Sequence, residues 1–271
     1  MPYAALKDGS RMWYIEKGKG MPIVFTHGWL GSSWLYEKQV DYFGQFYHAM
    51  AFDHLGHGKS DKPDSASYKL PDLAAYLDYA VNQTLKDERF ILVGHSMGGM
   101  IAQIYATNPK FAKRLKGLVL MSTAPKLKNP GLDEYVKNLK NGKMKLTDRS
   151  LIETVLVALC FQTKYAKTHK DIVKEFVDLT MRNKEQVGLA TMYSIVDDYN
   201  VENQLGKITV PTLIVTGDKD VFIPPDASKL LHEKIKGSEL KVLTPDIGHM
   251  VEFEATEQLH KTLMDFLKKL S

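Results

Sequence analysis

The amino-acid sequence predicts an α/β fold, a mainly parallel central sheet flanked by helices and interrupted by a helical lid. Three observations carry that prediction. Short apolar runs of strand length recur along the 271 residues, alternating with stretches of helical spacing. Residues 126–204 break the alternation, with helix-like patterns and no convincing strand. The composition, 44% hydrophobic and 25% charged, is that of a chain able to bury a sizeable core.

Taken in order, Arg11–Glu16 follows the turn signal Asp8-Gly9-Ser10, and Pro22–Thr26 follows a Lys/Gly turn. Ile23, Val24 and Phe25 form an unbroken apolar run, as expected of a strand covered on both faces. His48–Phe52 is a weaker strand signal ending at Asp53. Leu73, Leu77, Ala80, Val81 and Leu85 place Leu70–Leu85 on one helical stripe. Phe90–Val93, Leu118–Met121, Leu213–Thr216 and Leu240–Leu243 read as further strands. Gly98–Ala106, Ala227–Ile235 and Glu257–Leu270 read as helices. In the stretch without strands, Leu132–Lys140, Asp148–Phe161, Lys170–Arg182 and Lys184–Tyr199 are helix-like. Residues 1–125 and 205–271 are therefore expected to form the core, and 126–204 a cap inserted in it. The alternative is a set of long crossover helices of the same sheet.

Composition also excludes some roles. The 36 basic and 32 acidic residues leave a formal charge of +4, with no strip of Lys and Arg of the kind that tracks nucleic acid. Lys126–Arg149 is the densest basic stretch and reads as a solvated loop and helix face. No apolar run approaches the ~18 residues of a membrane span. The start, MPYAALKDGS, lacks the basic and apolar regions of a secretory signal, so a soluble, cytoplasmic protein is expected. Cys160 is the sole cysteine, which excludes an intramolecular disulfide and paired-cysteine zinc sites. Set among apolar neighbours, it reads as a buried small hydrophobe with a raised thiol pKa. His27, His54, His57 and His95 lack the H-E-x-x-H spacing, and no metal or cofactor is expected.

The strongest chemical signal is Gly94-His95-Ser96-Met97-Gly98. This G-x-S-x-G pentapeptide follows the run Phe90–Val93 and precedes a small-residue helix, the context of a strand-to-helix turn that lifts a serine clear of the sheet. A serine needs a neighbouring base, itself oriented by an acid, and these should follow in the order acid, then His, beyond later strands. Gly217-Asp218-Lys219-Asp220 follows one strand signal and Asp246-Ile247-Gly248-His249 the next. His249 is the expected base, and His260, within the last helix, is expected at the surface. Asp218 and Asp220 compete for the acid, since a Gly-Asp cluster often only closes a turn. Asp197 and Asp198 are a weaker alternative. The oxyanion needs two N–H donors, expected from Met97 and from Trp29 in the loop after Pro22–Thr26. Trp29 is also suited to be an aromatic wall.

These residues carry a resemblance. His27-Gly28-Trp29, Asp53-His54-Leu55-Gly56-His57-Gly58-Lys59-Ser60, Gly94–Gly99, Gly217–Asp220 and Gly248-His249 resemble the α/β-hydrolase family across nearly the whole chain. Within it the sequence is similar to the small esterase, lactonase and cofactor-free haloperoxidase-like branch. The resemblance implies a mixed sheet with an antiparallel strand near the amino end, a cap at about 126–204, and Asp220 as the acid. Ser96 stands where epoxide- and halide-processing relatives use aspartate. Trp29 stands where relatives that cleave carbon–carbon bonds have a small residue or serine, and Thr256 replaces a usual proline.

The expected function is cleavage of small or medium acyl carboxylic esters through an acyl-enzyme on a Ser96–His249–Asp220 triad, with a small-molecule ester or lactone as partner. An enol-lactonase, thioesterase, perhydrolase or C–C hydrolase would use the same triad. A non-catalytic binding protein is the rival from another class. Phe161, Tyr165, Phe176, Met181, Met192 and Tyr193 are candidates for either an acyl pocket or the lid's own core.

Overall fold

The computed structural model describes residues 2–127, 130–146 and 148–270; Lys128, Asn129 and Thr147 of the expected cap lie outside them. Eight strands form one sheet: β1 (Tyr3–Ala5), β2 (Arg11–Lys17), β3 (Pro22–Thr26), β4 (His48–Phe52), β5 (Phe90–His95), β6 (Leu115–Met121), β7 (Thr212–Gly217) and β8 (Glu239–Leu243). Their spatial order is β1-β2-β4-β3-β5-β6-β7-β8. The pairs β1–β2 and β2–β4 are antiparallel, and every pair from β4 to β8 is parallel. The sheet is mixed and mainly parallel, with its antiparallel part at the amino end.

Alternation explains why the central runs read as continuously apolar. Phe25, Ala51, Val93, Val119 and Val215 face one side, where they pack with Val40 and Phe43 of the helix Glu37–Phe43 and with Leu259 and Leu263 of the helix Thr256–Leu267. Val24, Met50, Leu92, Leu120 and Ile214 face the other, against the helices Leu70–Leu85, Met97–Thr107 and Pro225–Lys234. Both faces are covered, so neither carries the polar residues of a solvated sheet.

Among the described residues no strand lies between β6 and β7. The helices there are Pro130–Lys140, Arg149–Leu151 continuing through a π-helical turn Ile152–Leu156 into Val157–Cys160, then Thr163–Thr168, Lys170–Met181, Glu185–Tyr193 continuing into a second π-helical turn Ser194–Asp198, and the 3-10 helix Glu202–Lys207. The short helix Thr163–Thr168 is additional to the four expected. Leu156, Phe161 and Phe176 of this stretch join one of the sheet's apolar clusters, and Val187 and Ile195 join the other. Leu139 and Leu146 form a small separate cluster with Leu30. His260 departs from its expected place at the surface. It is half-buried and stacks on Tyr42 with ring centroids 4.2 Å apart, because its helix packs beside Glu37–Phe43.

Candidate active site

The register aligns Thr26 with Gly94 and His95 with Met121, so the carboxyl ends of β3, β5 and β6 share one edge of the sheet. After β3 the chain adds β4 on one side, and β5 pairs on the other. Such a reversal opens a crevice outside the carboxyl ends. The loops after β3, β5, β7 and β8 all emerge there.

Ser96 sits between β5 and the helix Met97–Thr107 at φ 53°, ψ −120°, a left-handed conformation that costs a non-glycine residue on the order of 1–3 kcal/mol. The surroundings hold it there. Its N–H donates to Met121 O at 2.9 Å, and its carbonyl accepts from Met100 N at 3.0 Å and Thr123 Oγ1 at 2.8 Å. Glycine is required on both sides of the turn: a Cβ on Gly94 would strike the Gly98 carbonyl, and one on Gly98 would strike that of Thr26. Met97 begins the helix, so its N–H has no preceding turn to bond and is left at the crevice.

His249 lies in the loop after β8, its side chain 2% exposed. Its Nδ1 is 2.8 Å from Oδ2 of Asp220, whose side chain is fully buried. The other Asp220 oxygen accepts from the amides of Phe222 (3.0 Å) and Ile223 (2.8 Å), which locks the carboxylate in place. Asp218 points elsewhere. It accepts from Ile247 N at 2.8 Å and Asp246 N at 3.4 Å, and so ties the β7 loop to the β8 loop. Asp197 pairs with Lys140 and Asp198 with Lys69, both far out on the surface. The structure thus brings Asp220 to His249 and leaves the other three aspartates out.

The loop after β3 turns at Gly28–Gly31, with Gly31 N donating to Gly28 O at 3.1 Å and Leu30 at φ 56°. The Trp29 indole N–H donates to Gly188 O at 3.0 Å and Thr191 Oγ1 at 3.1 Å, which fixes the ring to the helix Glu185–Tyr193. His27 Nδ1 donates to Gly28 O at 2.7 Å, and its Nε2 accepts from His54 N at 3.0 Å. Burial holds His27 neutral, its pKa lowered to about 4, and lowers that of His57 to about 3. Asp53 accepts from Ser33 N (2.5 Å) and Lys59 N (2.6 Å), joining the β3 and β4 loops.

Ser96 and His249 line one small cavity of about 20 Å³ with Gly28, Trp29, Cys160 and Phe176. Trp29, Leu156 and Phe222 form the wall between it and an apolar chamber of about 170 Å³, lined also by Leu132, Tyr135, Ile152, Val155 and Leu159. A larger surface cleft of about 470 Å³, near Leu70, Ile104, Tyr199 and Lys207, contains none of the residues just described. Of the six aromatic and methionine candidates, Phe176 alone touches the Ser96 cavity among the described residues. Phe161 and Met192 are 3% and 2% exposed within an apolar cluster, and Tyr165 stacks on His169. The chamber is instead walled by Trp29, Tyr135 and Phe222 together with aliphatic residues at or near the π-helical turn Ile152–Leu156. Cys160 is buried as expected, and burial pushes its thiol pKa up, yet it stands at the wall of the cavity.

Two carboxyl groups in this region carry no signal in the sequence. Glu254 accepts from Gly248 N (3.1 Å) and Gln162 N (3.2 Å), and burial raises it to about 7. It clamps the His249 loop to the turn between the helices Val157–Cys160 and Thr163–Thr168 of the insertion. Glu252 is fully buried beside His95, whose ring lies 4.7 Å from that of His249.

The family model described as the alpha/beta hydrolase fold matches residues 21–256. The chain belongs to the α/β-hydrolase family. This α/β hydrolase is 28% identical to Lipase 3 of a Moraxella species over 97% of this chain and 84% of that one. It is 32% identical to a non-heme chloroperoxidase of Kitasatospora aureofaciens over 99% of this chain and 100% of its relative. The enol-lactonase structure from Burkholderia xenovorans superposes with a TM-score of 0.87, covering 98% of this chain and 100% of the other at 23% identity, a likeness of fold. Among the described residues no helix of this hydrolase is long and apolar enough to cross a membrane.

Proposed function

We propose that this α/β hydrolase is a serine esterase that cleaves carboxylic esters of small or medium acyl chains through an acyl-enzyme. The observation that carries the reading is the buried 2.8 Å His249–Asp220 hydrogen bond, in a loop that closes one cavity with Ser96. Ser96 attacks the ester carbonyl and His249 takes its proton, while Asp220 fixes the imidazole tautomer and supports its positive charge. The Met97 and Trp29 amides hold the oxyanion. His249 returns the proton to the departing alcohol, then activates a water that hydrolyses the acyl-enzyme. A relative named a lipase supports a hydrolytic chemistry on this fold. A lactone is a cyclic ester and meets the same groups, so lactones belong on the substrate panel.

In this reading residues 126–204 are a cap whose inner wall supplies the acyl chamber. An apolar cavity of about 150 Å³ is enough to hold a benzene-sized group. The chamber of about 170 Å³ therefore suits an acyl chain of medium length. The test is Ser96→Ala assayed on p-nitrophenyl esters. Turnover should fall by at least about 10³-fold while the protein stays folded. Turnover near the original level would overturn the mechanism.

A further inference from the structure

Behind the candidate triad lies a buried pair of titratable side chains, His95 and Glu252, that the reaction above does not use. His95, the residue before Ser96, has its Nε2 3.0 Å from the main-chain carbonyl of His249. A carbonyl can only accept, so Nε2 carries the proton. Burial holds the imidazole neutral, so Nδ1 bears a lone pair. The Glu252 carboxyl stands beside Nδ1, with Oε1 at 3.5 Å and a side chain without solvent exposure. His95 Nδ1 and both Glu252 oxygens have no hydrogen-bond partner among the described residues. A carboxylate facing a lone pair in a buried site is repulsive and desolvated, whereas a carboxylic acid there has a proton to give.

We propose that Glu252 is a positioning residue: as a neutral acid it donates to His95 Nδ1, fixes the His95 tautomer, and so holds the His249 main chain against the Ser96 turn. The inference rests on the esterase reading for its kinetic consequence, though the tautomer itself does not. The frame around the pair is rigid. Gln39 is fully buried and donates from Nε2 to the Glu252 carbonyl at 3.2 Å. The titratable groups that bear on Glu252 are Asp220, Glu254, Tyr36, Cys160 and His95. Desolvation foremost, then the negative charges of Glu254 and Asp220, raise Glu252 to about 8, consistent with a protonated acid at neutral pH. When pH rises past that point the carboxylate needs a donor. His95 then supplies one from Nδ1, Nε2 is left with a lone pair against the His249 carbonyl, and the hold is released.

Two variants and one spectroscopic measurement decide the matter. Glu252→Gln keeps a donor that does not titrate, so kcat should persist at neutral pH and its decline above about pH 8 should vanish. Glu252→Leu removes the donor, so kcat should fall roughly 10- to 100-fold with KM changed little. Nitrogen-15 NMR of His95 should show the Nε2–H tautomer at neutral pH in the original protein, and its loss at alkaline pH. Glu252→Gln should keep that tautomer throughout. An alkaline kcat limb unchanged in Glu252→Gln, or a His95 tautomer that ignores both pH and substitution, would overturn the proposal. The NMR readout needs no turnover, so it separates failure of this inference from failure of the esterase reading.

Discussion

Asp218 and Asp220 stand two residues apart in one loop, and their hydrogen bonds differ in kind. Asp220 gives one oxygen to His249 and the other to two amides, whereas Asp218 spends both oxygens on the backbone of the neighbouring loop. Asp220→Asn should therefore lower kcat by roughly 10⁴-fold, because the amide favours the wrong imidazole tautomer. Asp218→Ala should leave kcat within about threefold but lose on the order of 0.5–1.5 kcal/mol of stability in a urea titration, as the part-buried Ile247 amide and the exposed Asp246 amide lose their acceptor. Equal kcat losses in the two variants would sink this division of labour. The Ser96 turn and the His249 position were legible in the sequence because each needs particular residues at particular offsets from a strand. The choice between the aspartates was not legible from local chemistry, since both follow Gly217 closely and both suit a turn. Glu252 was hidden for a similar reason. It reads as one more polar residue entering the terminal helix, and only three-dimensional packing reveals that it faces inward.

At the scale of elements, residues of the helical insertion line both the Ser96 cavity and the apolar chamber beside it. The π-helical turn Ile152–Leu156 places Ile152, Val155 and Leu156 along the chamber, with Leu156 also at the Ser96 cavity. Each methylene buried there is worth about 0.8 kcal/mol, or roughly fourfold in kcat/KM. Across a p-nitrophenyl ester series kcat/KM should climb from acetate until the chamber is full, near a chain of about six carbons. Leu159→Trp, which fills the chamber away from Ser96, should move the optimum to shorter chains. An optimum unmoved by that substitution would place the acyl chain elsewhere. The sequence marked this region as helical because its apolar residues recur every three or four positions. It could not separate pocket from core, because a pocket-lining leucine and a core leucine share that spacing.

For the whole molecule, the apolar strand runs predicted the sheet well because both faces are covered and each central strand is apolar throughout. What escaped was peripheral. β1 is three residues long with alternating exposure, and the helix Glu37–Phe43 carries only Val40 and Phe43 as strong apolar signals. Burial of titratable groups on this scaffold predicts a stability maximum near neutral pH. His27, His54, His57, His95 and His260 are held neutral, their pKa values lowered by desolvation, so the unfolded chain takes up protons that the folded chain refuses as pH falls below about 6.5. Their contribution is present above that pH and lost as it falls. Glu252 and Glu254 act in the opposite sense. Raised to about 8 and about 7, they hold protons in the folded state that the unfolded chain releases, and stability declines as pH climbs through those values. Five imidazoles outweigh two carboxyls on the acid side, so unfolding near pH 5.5 should take up protons in net, measurable by calorimetry in buffers of different ionisation enthalpy. Net release there would contradict the assignment of buried neutral histidines.

The claim on which the functional account turns is that Ser96 is the nucleophile of a completed triad. The most direct measurement is reaction of the folded protein with a fluorophosphonate, followed by intact mass and peptide mapping. One adduct per chain is expected, on the peptide that carries Ser96, with none formed in Ser96→Ala. A folded protein that takes no label, or takes it on another residue, would contradict it.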